Sequence, residues 1–269
     1  MKRNCRSSVS NTPASERGVR SPVICKNGVI NMILSAKNMD FRTLNQQVKR
    51  ADGNLCIQDC CGQRFIASGL RDKTVTIQGT PGNALGAYLD GAVIEVYGNV
   101  QDAVGDTMNA GEIIVHGSAG DALGYAMRGG AIYVRGNAGY RAGIHMKAYE
   151  QQQPVLVVGG RVGSFFGEYL AGGILIVLGL GCDGVPVGNF TGNGMHGGRI
   201  FIRTPLPLPD LPAQVTADIA PPEEMEAIAP YLQEFGRRFD IDAAGLLHDT
   251  FYLLRPNAKN PYQQLYTPN

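Results

Sequence analysis

Two stretches decide the fold: Gly117-Ser-Ala-Gly-Asp-Ala-Leu-Gly124 and, nineteen residues later, Gly136-Asn-Ala-Gly-Tyr-Arg-Ala-Gly143. Both carry glycine in the pattern G-x-x-G-x-x-x-G. The pattern extends upstream to Gly79, Gly82 and Gly86 and to Gly98 and Gly105, with Gln101 in place of the middle glycine of that turn. Downstream it returns at Gly160, Gly163 and Gly167, 24 residues after Gly136, so five residues have been inserted, read as Tyr149 to Gln153. The period resumes at Gly179, and a second insertion of six residues precedes Ile200. A fixed period of this length marks a stack of equivalent chain turns rather than a globule of unlike elements.

Short β-branched runs separate the glycines: Val75-Thr-Ile, Ile94-Glu-Val, Ile113-Ile-Val, Ile132-Tyr-Val, Leu156-Val-Val and Ile174-Leu-Ile-Val. They read as strands bounded by turns. Strand side chains alternate in direction, so the period turns the sequence into columns. Two columns stay aliphatic throughout: Val75, Ile94, Ile113, Ile132, Leu156, Leu175, Ile200, and Ile77, Val96, Val115, Val134, Val158, Val177, Ile202. A third, Leu89, Met108, Met127, Met146, Leu170, Met195, reads as core, since Met fills irregular gaps. The expected architecture is an all-β, right-handed, single-stranded parallel β-helix of about seven turns, roughly 34 Å tall at about 4.8 Å per turn. A solenoid has two open ends that need covering. Residues 1–24 read as a flexible segment, 25–55 as an amino-terminal cap, 56–204 as the β-helix, and 205–269 as a Pro-rich linker and helical tail. Counting back nineteen places Cys56 in the inward Val75 column. In the tail, Met225, Ile228, Ala229, Leu232 and Phe235 follow Pro222-Glu-Glu at helical spacing, with Pro230 expected to kink or divide the helix.

With 24 basic and 23 acidic residues, a net charge of +1 gives no general attraction to nucleic acid or an anionic membrane. No segment approaches the roughly 20 apolar residues of a spanning helix, and the first 24 residues lack the apolar run of a secretory signal. The chain reads as soluble and cytoplasmic, its six cysteines reduced.

These motifs, together with Gly167-Glu-Tyr-Leu-Ala-Gly-Gly, Ile176-Val-Leu-Gly and Gly194-Met-His-Gly-Gly, resemble the GXGXG domain of the glutamate synthase large subunit over about residues 55 to 205. The resemblance implies a structural role beside glutaminase and FMN/iron–sulfur synthase parts, which occur in some organisms as separate polypeptides. FMN and the cluster would then sit on a partner, with no cofactor on this chain. A subunit of formylmethanofuran dehydrogenase carries similar glycine turns and implies a second kind of complex. A homo-oligomer is compatible with either. An amino-terminal-nucleophile glutaminase needs a terminal Cys, whereas Cys5 is internal, and a flavin-binding barrel needs about 250 residues of alternating strands and helices.

No catalytic, cofactor or metal residues are therefore expected on the chain. Cys56, Cys60 and Cys61 form C-x3-C-C, which is not a zinc or iron–sulfur spacing. His145 and His196 fall two turns apart, too far to share a metal. Arg128 and Lys147 stack in one column with Asp90, Asn109 and His196, reading either as a solvated ladder with Glu168 as counterion or as a site for an anion or acidic partner. A groove near Arg128, Arg141, Lys147 and His196 is the enzyme alternative. The outward strand column, Thr76, Glu95, Ile114, Tyr133, Val157, Ile176, Phe201, turns apolar after two turns. Contiguous exposed apolar surface is usually covered, so the part from Ile114 to Phe201 is expected to lie under the carboxy-terminal segment or a partner subunit.

Overall fold

A computed structural model describes residues 30–257; Cys5, Cys25, the 1–24 segment and the end of the tail lie outside the described residues. The elements are β1 (Met32–Ser35), α1 (Phe41–Arg50), β2 (Leu55–Cys61), β3 (Thr74–Thr80), β4 (Asp90–Tyr97), β5 (Ala110–Val115), β6 (Ala131–Val134), β7 (Val155–Val158), β8 (Ala171–Val177), β9 (Gly197–Arg203), β10 (Val215–Ile219), α2 (Pro222–Phe239), α3 (Ala243–Leu247) and β11 (Phe251–Pro256). They form one sheet in the order β1 to β9, then β11 and β10. Strands β1 to β9 pair in parallel with their sequence neighbours, which makes a single-sheet β-solenoid of about eight turns.

The column register follows the period. Val75 pairs with Ile94, then Ile113, Ile132, Leu156, Leu175 and Ile200. The three aliphatic columns are buried and form one continuous lumen core. The extra turn over expectation is β1, which lies beneath β2 in parallel register.

The first turn departs from the nineteen-residue count. Leu55, not Cys56, pairs with Val75, and Cys56 pairs with Thr76 in the outward column. A register shift between Ile57 and Cys60 absorbs one extra residue, with Asp59 at φ 58°, so nineteen-residue spacing holds only after the bulge. Helix α1 closes this end by burying Leu44 and Val48 on the lumen, and the Asp40 side chain caps it through Arg42 N and Thr43 N.

The carboxy-terminal region holds the expected helical segment, α2 and α3, and adds two strands that the sequence pattern does not suggest. Strand β11 lies antiparallel on β9, and β10 antiparallel on β11, so a two-stranded ribbon caps the last turn. Helix α2 runs unbroken through Pro230, whose side is exposed. Its axis follows the solenoid: Glu224 bonds Arg199 on β9, while Arg238 bonds Glu112 on β5 and Phe239 packs edge-on against His116. The fourteen-residue step from Glu224 to Arg238 at about 1.5 Å per residue gives about 21 Å, close to the roughly 19 Å of the four strand spacings from β9 to β5. Ile228, Leu232, Phe235 and Phe239 seal Ile114, Tyr133, Val157, Ile176 and Phe201 into a second core. Of the two coverings expected for this strip, the chain's own carboxy-terminal segment is the one present, and these five residues offer no free surface.

Candidate functional site

Away from the strands, each turn passes a corner built from left-handed backbone. Positive φ recurs at alternate residues: 84, 86 and 88; 103, 105 and 107; 122, 124 and 126; 141, 143 and 145; 165, 167 and 169. In these five trios only the middle residue is always glycine, while the first turn has Phe65, Ala67 and Gly69 at positive φ. At Gly143 a Cβ would run into Leu175 in the lumen, so that position needs both left-handed backbone and an absent side chain. Alternation makes successive amides point to opposite neighbours. Arg141 N and His145 N bond forward to Ser164 O and Glu168 O at 3.0 and 2.9 Å, while Gly143 N bonds back to Leu123 O at 2.8 Å. These bonds between turns offset strain of about 1–3 kcal/mol for each non-glycine residue held left-handed.

The other two glycines of the motif have a separate cause. Asn99, Ser118 and Asn137 accept from the amides of Ser118, Asn137 and Arg161 at 2.9, 3.1 and 2.9 Å. Asn83, Asp102 and Asp121 accept in the same way from Asp102, Asp121 and Tyr140, at 3.3, 2.9 and 2.8 Å. Each such oxygen fills the space over which the next turn passes, and a Cβ at Gly117, Gly120, Gly136, Gly139 or Gly160 would collide with it. Gln101 is the one residue replacing a glycine here, and the ladder bond beside it is the longest. A residue with a side-chain oxygen directly after the motif position, glycine in every case but Gln101, is the signal in the sequence for this ladder.

The corner presents aromatic rings. Tyr88, Tyr140 and Phe190 each expose more than half of their surface, and Phe65 and Tyr125 more than a third. His145 stacks on Tyr169 at 5.1 Å with Tyr125 edge-on, while Arg141 lies 5.0 Å over Phe165, which stacks on Phe190 at 5.1 Å. Glu168 is buried between these stacks, 3.4 Å from Arg141 Nε and accepting from Asn193 Nδ2 at 3.2 Å. Glu168 is thus the partner of Arg141 and not the counterion expected for Arg128 and Lys147. Those two stand exposed on successive turns and make no ion pair among the described residues. Arg141 is engaged by Glu168, and His196 Nδ1 lies 3.3 Å from Gly194 O.

A second polar cluster sits under the end of α2. Glu95 is buried and accepts from His116 Nε2 at 2.9 Å and Tyr97 OH at 3.0 Å, and the Tyr97 ring stacks on His116 at 4.3 Å. Burial alone would raise the Glu95 carboxyl, but the His116 and Tyr97 bonds and the charges of His116 and Arg238 outweigh it and hold it below its ordinary value. Cys56 and Cys60 are buried and Cys61 exposed, and burial pushes the Cys60 thiol up to about 11. His116, His145, His196 and His248 occupy separate places, and no group of three metal-binding side chains occurs among the described residues. A depression of about 390 Å³ lies between the six-residue insertion and Pro205, but Arg203 in its wall is engaged by Asp249 and Leu178 O. No described helix is long and apolar enough to cross a membrane.

A family model described as the GXGXG motif matches residues 24–257, a range that includes the whole glycine ladder. This chain belongs to the GXGXG family. Among curated proteins, this GXGXG protein is 44% identical over 259 residues to the uncharacterized protein MJ1350 of Methanocaldococcus jannaschii, covering 90% of the chain and 98% of that relative. Among solved structures, it superposes with TM-score 0.55 and 17% identity on a chain of the formyltransferase/hydrolase complex from Methylorubrum extorquens in complex with methylofuran, over 84% of this chain and 91% of that one. At that identity the likeness speaks for the solenoid fold alone.

Proposed function

We propose that this GXGXG protein is a scaffold subunit of a multi-subunit enzyme of the glutamate synthase type, holding a glutaminase-type subunit and an FMN/iron–sulfur synthase-type subunit. The observation that carries the reading is the row of exposed rings along the left-handed corner, Phe65, Tyr88, Tyr125, Tyr140 and Phe190. Exposed aromatic residues on a rigid frame are the composition of a partner-binding surface. The solenoid supplies that rigidity, since the amides of the left-handed corner residues from Ala84 to Tyr169 bond to the turn above or below. Chemistry then resides on the partners, with FMN and the iron–sulfur cluster on the synthase-type subunit, and Arg128 and Lys147 serve as a charged edge of the docking surface.

A second reading, a subunit of a formylmethanofuran-dehydrogenase-type complex, draws on the fold shared with the formyltransferase/hydrolase complex. Purification of the tagged chain from its native host, followed by mass spectrometry of what stays bound at stoichiometric amounts, separates the two. A glutaminase and a flavoprotein support the first reading. Molybdopterin proteins support the second. A colourless, active, unaccompanied chain contradicts both.

A further inference from the structure

The amino-terminal end of the solenoid carries a feature that the aromatic corner does not explain. Phe41, the first residue of α1, and Phe65, on the corner of the first turn, stand with ring centroids 6.2 Å apart. Arg64 lies 4.7 Å over the Phe41 ring and 5.9 Å from that of Phe65, and Arg42 lies 5.5 Å from Phe41. The rings, Arg42 and Lys49 border an open depression of about 280 Å³. The ridge is held in place from below. Asn45 Nδ2 donates to Phe41 O at 2.8 Å and Arg64 O at 3.0 Å, tying the cap helix to the turn. Gln63 Nε2 donates to Ala36 O and Met39 O at 2.9 and 3.2 Å.

The charge of this patch is one-sided. Arg42, Lys49 and Arg64 make no ion pair among the described residues, and the nearby Asp40 carboxylate is consumed by the amides of Arg42 and Thr43 and by the Thr43 hydroxyl. Two arginines stacked on rings, with only the amide-bound Asp40 carboxylate acting on Arg42 and none on Arg64, form a preorganised receptor for a further carboxylate. The chain's first 29 residues, with six basic residues and one acidic residue, have the wrong charge for such an occupant. Like-charge repulsion opposes an identical patch from a second copy.

We propose that this end of the solenoid docks an acidic segment of a partner protein, its carboxylates on Arg42, Arg64 and Lys49 and one large apolar side chain against Phe41 and Phe65. The proposal rests on the scaffold reading and names the chemistry by which one of the two partners is recognised. It places that partner at the α1 end, while the rings of the later turns, Tyr140 and Phe190, remain for the other.

The test reconstitutes the full-length chain with the purified glutaminase-type and synthase-type subunits and measures each affinity at low and high salt. It compares wild type with Arg42→Glu/Arg64→Glu and, as a separate variant, Lys49→Glu, with melting temperatures confirming the fold. The expected result is that the double reversal weakens one partner at least tenfold and leaves the other unchanged. For wild type, that same partner is also the one loosened by salt. Retention of both partners at unchanged affinity overturns the proposal, as does loss of both from a folded chain. A homo-oligomer of the chain that the reversal dissolves overturns it too, since a second copy is then the occupant. If wild type binds neither subunit, the scaffold reading itself fails, which is a different outcome from any of these.

Discussion

Asp121 Oδ1 accepts a hydrogen bond from Tyr140 N at 2.8 Å and occupies the space in which a side chain on Gly139, one turn above, would lie. Gly139 keeps an ordinary backbone conformation, so its need for glycine is contact alone. Gly139→Ala is expected to cost about 1–3 kcal/mol through overpacking, and Asp121→Ala about 0.5–1.5 kcal/mol through the lost bond. The double variant is expected to cost less than the sum, because removing the oxygen relieves the tightest of the contacts, although the Gly120 and Asp121 backbone at 2.9 and 3.0 Å still crowds the methyl. Gly184→Ala, with nothing within 4 Å, is the control and should stay within about 0.5 kcal/mol of wild type. Urea unfolding of wild type and the four variants gives the comparison.

This relationship also shows what the sequence could reveal. The aliphatic columns and the fixed glycine spacing were legible because every turn repeats the same contact, so a single register read at Val75 extends to Ile200. Cys56 was misplaced because the bulge between Ile57 and Cys60 adds one residue where no glycine marks it. Strands β10 and β11 were missed because their pairing is set by the open edge of β9, a tertiary fact absent from local pattern. Pro230 does not divide α2 because the helix is held by burial of Ile228, Leu232 and Phe235 on either side of it. The glycines mark the corners, but the left-handed residues beside them are not legible, because Ala84, Arg141 and Phe165 are not residues that announce positive φ.

Phe235 is fully buried between α2 and the strip that includes Val157 and Ile176. Phe235→Ala is expected to destabilise by about 3–5 kcal/mol and to loosen the helix from the sheet. Binding of a hydrophobic dye below the unfolding transition would register the exposed strip. A variant that melts like wild type and binds no dye would show that the helix is not what seals this face.

Glu95 fixes the sign of an acid dependence. Its carboxyl is held below its ordinary value when folded, so the unfolded chain takes up the proton first. The stabilisation is therefore present above the unfolded value of about 4.3 and is lost as pH falls through the folded one. Glu95→Gln is expected to be less stable than wild type near pH 7 and to show a shallower fall in stability below about pH 5. Unfolding midpoints measured from pH 3 to 7 test this, and parallel curves for the two proteins would contradict it.

Among the three clustered cysteines, alkylation should discriminate by burial. Cys61 is exposed, whereas Cys60 is buried with its thiol raised to about 11 and is almost wholly protonated at pH 8. Iodoacetamide followed by peptide mapping is expected to label Cys61 first and to reach Cys56 and Cys60 only on unfolding. Equal labelling of all three in the native protein would contradict the first-turn register.

The scaffold reading is tested most directly by native mass spectrometry of the chain mixed with its glutaminase-type and FMN/iron–sulfur synthase-type subunits. The account predicts a ternary complex whose flavin stays with the synthase-type subunit on dissociation, and its weakening when Tyr140 and Phe190 are both replaced by Ser. A chain that remains alone beside both subunits, or one that itself retains the flavin, would contradict it.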